Sequence, residues 1–167
     1  MPLYNFSFGS NMSSNRLLAR LPNVKRVGTA VLKGYELTFD MLFKDGSGKC
    51  SICPSDKEDA LVYGVIYELN EDEKVILDSI EGVGYDCVDI APTLLTGESV
   101  TAHCYIANTH DSDVLPYDWY IKHVHRGSLE AGVPKEYSDA ILNRAQKSDT
   151  NQERAAIEFA VHQKIIK

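Results

Sequence analysis

The chain has 167 residues, 44% of them hydrophobic and 25% charged, the size and mix of one globular domain able to bury a core. Acidic side chains outnumber basic ones by 24 to 17, for a formal charge of -7. That balance argues against a nucleic-acid or anionic-membrane partner, either of which calls for clustered Lys and Arg.

Residues 3–8 read as a short strand. The corner Phe8-Gly9-Ser10-Asn11 follows, and Ser13 or Ser14 can cap a helix over 14–21 whose apolar stripe is Leu17, Leu18 and Leu21. Pro22 ends it. From Val24 to Phe43, β-branched and aromatic residues recur, with Gly28 and Gly34 as bulges or bends. Lys25-Arg26 with Lys33, a small basic group, fits a solvated strand edge. "KDGSGK" reads as a flexible, exposed loop, and "CSICPS" and "ALVYGVIYEL" as further strands, the second apolar enough to be central.

Asn70 then caps a helix with Glu73 at the capping-box position, and the acids Glu71, Asp72 and Glu73 offset the helix dipole. Val75, Ile76, Leu77 and Ile80 are expected on its buried side. It exits through the glycines of "EGVGY". "DCVDIAPTLLT" and "SVTAHCYIAN" are strands joined across Gly97-Glu98 in hairpin fashion. "LPYDWYIKHVHRGSLEAGV" is a helix with Pro116 near its start, and Pro134 opens another through Leu142. From Asp149 runs a separate amphipathic helix with Ile157, Phe159, Ala160, Val161 and Ile165. Strands crowd the middle and helices the end, so the class is α+β. A small mixed, mostly antiparallel β-barrel with flanking helices is the expected architecture, because closure removes exposed edges. Core candidates are Phe6, Val31, Leu37, Phe39, Val65, Ile66, Ile90 and Tyr105.

No apolar run is long enough to span a bilayer, and the N-terminus lacks a signal-peptide pattern. Cys50, Cys53, Cys87 and Cys104 suit a reducing compartment. A cytoplasmic protein is expected. Cys50-Ser51-Ile52-Cys53 has C-x-x-C spacing but no second pair, and it runs into Pro54 rather than opening a helix, so these cysteines read as small strand hydrophobes. His123 and His125 fall on different faces of a helix, and no metal site is expected.

Two features carry chemistry. A Gly-Ser-Asn corner satisfies a tight turn, and it also aims backbone N–H groups at the space above a helix N-terminus, where an anion could sit. Glu81 stands at the end of an apolar helix, where the dipole disfavours an anion. Burial there would raise its carboxyl above roughly 4.3 and suit it to proton transfer.

The Phe8-Gly9-Ser10-Asn11 corner after an N-terminal strand, then "YGVIYEL", then "DSIEGVGY", together resemble the gamma-glutamylcyclotransferase family (the AIG2-like group) from about Tyr4 to Tyr137. The resemblance implies a gamma-glutamylcyclotransferase-like domain over residues 1–147, with 148–167 as a C-terminal helical extension packed on it. It places the substrate-binding loop on Gly9, Ser10 and Asn11, the acid/base carboxylate on Glu81, and pocket tyrosines on Tyr85 and Tyr120. Phe8 stands where many members have tyrosine, so a hydroxyl is missing there. The implied reaction is cyclisation of a γ-glutamyl group to 5-oxoproline with release of an amine or amino acid. It needs no cofactor, metal, nucleic acid or membrane. The alternative is a non-catalytic small-molecule binding module on the same fold, since fold does not fix function. The leaving amine and the oligomeric state are not legible.

Overall fold

Strand β1 (Leu3–Ser7) occupies the middle of the sheet in the computed structural model, which describes residues 2–163. After it come a 3-10 turn over Ser10–Met12, α1 (Ser14–Arg20), β2 (Lys25–Lys33), β3 (Tyr35–Leu42), β4 (Gly48–Pro54) and β5 (Leu61–Leu69). Then follow α2 (Glu71–Glu81), β6 (Tyr85–Ile90), β7 (Thr93–Leu94), β8 (Ala102–Ala107), α3 (Asp118–Ala131), α4 (Lys135–Leu142) and α5 (Gln152–Ala160), with a last 3-10 turn over Val161–Gln163. The class is α+β. Ile165, expected on the last helix, lies outside the described residues. No helix among those described is long and apolar enough to cross a membrane.

Six strands pair in the order β6-β8-β1-β5-β2-β7, antiparallel except for the β1–β8 pair, which meets at Asn5 and His103. The apolar β5 lies between β1 and β2, as its composition demands. Among the described residues β3 and β4 pair only with each other. The expected barrel is therefore corrected in this respect: among the described residues the ladder is an open sheet plus a separate hairpin, with no closed ring of backbone pairing. Side chains tie the hairpin down instead. The Ala107 N–H donates to Ser51 Oγ at 2.9 Å, and the Gly48 N–H to the Leu115 carbonyl at 2.9 Å. Alternation along a strand tells which side chains are buried, but not which edges pair.

Two bulges set the phase of the core. In β2 the register slips between Arg26 and Gly28, after which Ala30 and Leu32 point inward and Val31 is only half-buried. In β3 the slip between Thr38 and Met41 sets Phe39 and Asp40 against Cys50 alone. Phe6, Phe39, Val65, Ile66 and Tyr105 are buried as expected, whereas Leu37 and Ile90 are half-buried. The "KDGSGK" segment is exposed only in its first part: Ser47 is fully buried and Lys49 is 9% exposed.

Helix α2 has the predicted capping box, Asn70 Oδ1 accepting from the Glu73 N–H while the Glu73 carboxylate accepts from the Asn70 N–H. Its packed face differs from expectation. Leu77 is buried, but Val75, Ile76 and Ile80 are 67%, 48% and 37% exposed. The inward stripe runs instead through Lys74, Leu77, Asp78 and Glu81, at i, i+3, i+4 and i+7 spacing. Tyr105 donates its hydroxyl to Asp78 Oδ1 at 2.5 Å, and Lys74 pairs with Asp78 at 3.0 Å. The helix thus turns polar groups toward the sheet and delivers Glu81 inward.

Helix α3 closes the structure over the Ser10–Met12 turn. Its buried positions Tyr120, His123, Val124, Gly127, Ser128 and Ala131 form one stripe. At Gly127 the approach is so close that a Cβ would lie 2.5 Å from Met12 Cβ and 2.6 Å from the Ser13 nitrogen. Gly127→Ala is therefore expected to destabilise the fold by about 1–3 kcal/mol through overpacking, although alanine is the better helix former. The midpoint of urea unfolding measures this; an unchanged or higher midpoint would show that α3 can stand further from the turn.

Candidate functional site

The chain leaves β1 through Phe8, whose ring is buried, and turns at Gly9 into the 3-10 segment. The Met12 N–H donates to the Gly9 carbonyl at 3.1 Å, and the Ser13 N–H to the Ser10 carbonyl at 3.2 Å. Ser13 then caps α1, its hydroxyl accepting from the Arg16 N–H at 3.4 Å. The first N–H groups of such a turn have no acceptor inside it. Ser10 and Asn11 are buried, and Asn11 Oδ1 has no hydrogen-bond partner among the described residues. Gly9 is needed here for space: a Cβ would sit 2.9 Å from Cys50 Cβ and 3.5 Å from the Tyr120 hydroxyl.

The peptide of Cys50 joins the two tyrosines. Its N–H donates to the Tyr120 hydroxyl at 2.9 Å, and its carbonyl accepts from the Tyr85 hydroxyl at 2.8 Å. Burial pushes the phenol of Tyr120 far above its ordinary range and that of Tyr85 upward as well. Both therefore stay neutral hydrogen-bonding groups. The Cys50 thiol is pushed up to about 12 by burial, which makes it inert as a nucleophile.

A cavity of about 340 Å³ opens between the turn, the end of α2, the start of β4 and helix α3. Phe8, Gly9, Ser10, Asn11, Glu81, Tyr85 and Tyr120 all line it. Glu81 is the last residue of α2, which exits through Gly82 at φ 77°. Burial raises its carboxyl above the ordinary value, while the charges of Arg20, Arg16 and Lys49 pull against that shift. A carboxyl raised by burial is suited to take up a proton and give it back.

Sequence reading passed over the cations of this cavity. Arg16 and Arg20 lie four residues apart on α1, one helical face directly after the Gly-Ser-Asn corner, so their spacing was a usable signal. Lys49 carried none, because a lysine beside a glycine-rich loop ordinarily faces water. The last helix supplies Glu158, whose carboxylate accepts from Arg16 at 2.9 and 3.2 Å. Burial alone would raise Glu158, but the hydrogen bond from His123 and the Arg16 charge outweigh it and hold the carboxyl at about 2. His123 is fully buried, with Nδ1 2.6 Å from His162 Nε2 and Nε2 3.4 Å from Glu158. Among the described residues no group of three or more His, Cys, Asp or Glu side chains is arranged to hold a metal ion.

Residues 61–141, which include Glu81, Tyr85 and Tyr120, match the AIG2-like family. Gamma-glutamylcyclotransferase of Mus musculus is 27% identical over 144 residues, covering 81% of this chain and 75% of that protein. A solved structure of gamma-glutamyl cyclotransferase superposes with a TM-score of 0.86 at 22% identity, over 98% of this chain and 100% of the other. An uncharacterized protein from Homo sapiens superposes with a TM-score of 0.83 at 24% identity, over 94% and 98%. The chain resembles the AIG2-like, gamma-glutamylcyclotransferase group in sequence and shares its mixed α+β fold.

Lys49 has a thermodynamic signature of its own. Burial draws its ammonium down from 10.5 to about 8, so the native state disfavours the charge it carries at neutral pH. Lys49→Met is expected to stabilise the protein at pH 7 by about 2–3 kcal/mol. The sign follows from linkage: the penalty is full below about pH 8 and fades as pH rises toward the unfolded-state value. The stability gap between variant and parent should therefore narrow between about pH 8 and pH 10.4. Chemical denaturation at pH 7 and pH 10 measures it, and a variant less stable than the parent at pH 7 would contradict the account.

Proposed function

We propose that the protein cyclises the γ-glutamyl group of a small γ-glutamyl compound to 5-oxoproline and releases an amine or amino acid. The observation that supports this most is Glu81, a carboxyl raised by burial, at the rim of a cavity shared with the Gly9–Asn11 turn and two neutral tyrosines. The relatives that the sequence matches carry the name of this activity.

In the proposed reaction the substrate's α-ammonium loses a proton to Glu81. The free amine then attacks its own γ-carbonyl carbon, forming a new C–N bond and a tetrahedral intermediate. Its oxygen would be met by main-chain N–H groups of residues 9–11. Collapse breaks the C–N bond to the leaving nitrogen, which takes the proton held by Glu81; the proton that the ring nitrogen sheds after attack passes to the same amine, which departs as an ammonium. Atoms and protons balance between the substrate and one carboxyl. Because nucleophile and electrophile belong to one molecule, the protein chiefly has to hold the bent conformer, and a well-oriented intramolecular attack has an effective molarity of about 10⁵ M or more. Phe8 serves as the buried floor of the turn, and Tyr85 and Tyr120 as walls fixed through the Cys50 peptide.

The unit assigned to this reaction is residues 1–147, with 148–167 as an extension packed on it. The Arg16–Glu158 pair supports that arrangement. The four cysteines are free thiols, which suits the cytoplasm.

Incubation with a panel of γ-glutamyl compounds, following 5-oxoproline by mass spectrometry, is the test. The parent should release 5-oxoproline from at least one member. Glu81→Gln should fold and bind that compound but turn it over about 10²–10⁴-fold more slowly. Ligand binding without 5-oxoproline from the parent would favour a binding module, and wild-type turnover by Glu81→Gln would remove Glu81 from the mechanism.

A further inference from the structure

Helix α5 meets the cavity through charge more than through apolar burial. None of its residues is fully buried, and its apolar contact with the core comes from the half-buried Ala155 and Phe159. Glu158 nevertheless turns inward, with only 19% of its side chain exposed. Its carboxylate accepts from Arg16 Nη1 at 2.9 and 3.2 Å and lies 3.4 Å from His123 Nε2. Burial lowers the His123 imidazolium below its ordinary value, so that ring is neutral, and the charge that Glu158 answers is that of Arg16. Arg16 and Arg20 stand one turn apart on α1, and both line the cavity that Glu81 enters from α2.

Around Glu81, burial raises the carboxyl, while Arg20 and Arg16 from α1 and Lys49 from β4 pull it back. The hydroxyls of Tyr85, Tyr105 and Tyr120, from β6, β8 and α3, complete its surroundings, and burial keeps them neutral. Around Glu158 stand Arg16 and Arg20, Lys49 and His123, with His162 behind His123. Arg154 also lines the cavity, but Asp149 holds it at 2.6 Å. An arginine stays charged, and a buried charge without a partner is strongly destabilising. Without Glu158, the guanidinium of Arg16 would be left with Glu81, on which its charge already acts. Two guanidinium groups turned on one carboxylate would hold it ionised and make it a poor base. If Glu158 only tied α5 down, an apolar side chain would serve without taking two charges out of water.

We propose that Glu158 is a positioning residue: by engaging Arg16 it keeps that guanidinium from Glu81 and leaves Glu81 able to take and return the substrate's proton. The proposal rests on the ring-closure reading for the origin of that proton. It makes the C-terminal helix a working part of the site, because the group that restrains Arg16 comes from α5. Arg20 is then the one arginine whose charge Glu81 meets without a competing carboxylate bound to it among the described residues.

Carboxyl carbon NMR of protein carrying labelled glutamate reads the titration midpoint of Glu81 without any turnover, its resonance being the one lost in Glu81→Gln. Glu158→Gln should lower that midpoint by about one pH unit or more, since Arg16 then turns its charge on Glu81. The acid limb of kcat/KM should move down with it. Glu158→Asp, which keeps the charge, should hold the midpoint near that of the parent. Arg16→Gln with Glu158→Gln removes both charges and should also return it close to the parent, while Arg16→Gln alone should lie above that double variant. Should Glu158→Gln not fold, this last comparison carries the test, because neither protein leaves an arginine unpaired at position 16. Lost stability in Glu158→Gln with an unmoved Glu81 midpoint would reduce the pair to a tie for α5 and overturn the proposal. So would equal midpoints in Arg16→Gln and the double variant. Midpoints that move as stated in a protein releasing no 5-oxoproline would sink the ring-closure reading and leave the Glu158 assignment standing.

Discussion

The contact that orders the rest of the molecule is that of α3 with the main chain of the Ser10–Met12 turn, possible only because residue 127 has no side chain. With the helix that close, Tyr120 reaches the Cys50 peptide, and Cys50 in turn fills the space beside Gly9. Tyr67 adds a hydrogen bond from its hydroxyl to the Met12 carbonyl at 3.3 Å. The N-terminal corner is thus clamped from three sides: by helix, hairpin and central strand. A turn fixed this way can present donors in one geometry, which is what preorganised binding of a developing anion requires.

Charge is the second organising constraint. The cavity gathers Glu81, Arg16, Arg20, Lys49 and Glu158 within apolar and aromatic walls, where interactions between charges are strong and unpaired ones are unfavourable. Local rules fail at these residues. Glu81 ends a helix whose dipole opposes it, and α2 turns its charged stripe inward while Val75 and Ile76 face out. Lys49 is buried with no ion pair among the described residues. Sites of this kind trade stability for function. The arrangement supports a chemical role for the cavity better than a role in holding the fold together.

What could be read from the sequence follows the same division. Caps and stops were legible because their chemistry is local: Asn70 with Glu73, Ser13 before α1, and Pro134 before α4. The turn and Glu81 were legible as a pair through resemblance and a broken dipole rule. The open ladder with its separate hairpin was not, because the β3–β4 pair is held by contacts such as Ala107 to Ser51 that join residues far apart in the chain. The phase of β2 was hidden by the bulge at Val27, which turns Val31 away and Leu32 in. The face of α2 was misread because its apolar residues outnumber the one that packs, Leu77. Lys49 and Glu158 reach the cavity from an apparent loop and from the last helix, and no spacing links them to Glu81.

The central claim is that Glu81 acts as a base while ionised and as an acid after taking the substrate's proton. The pH dependence of kcat/KM on a γ-glutamyl compound that the protein turns over reads this most directly, because that parameter reports the groups of the free enzyme and substrate. The account predicts an acid limb whose midpoint lies above the ordinary glutamate value of about 4.3, in the direction set by burial of the carboxyl. A rate that stays level down to that ordinary value would contradict it.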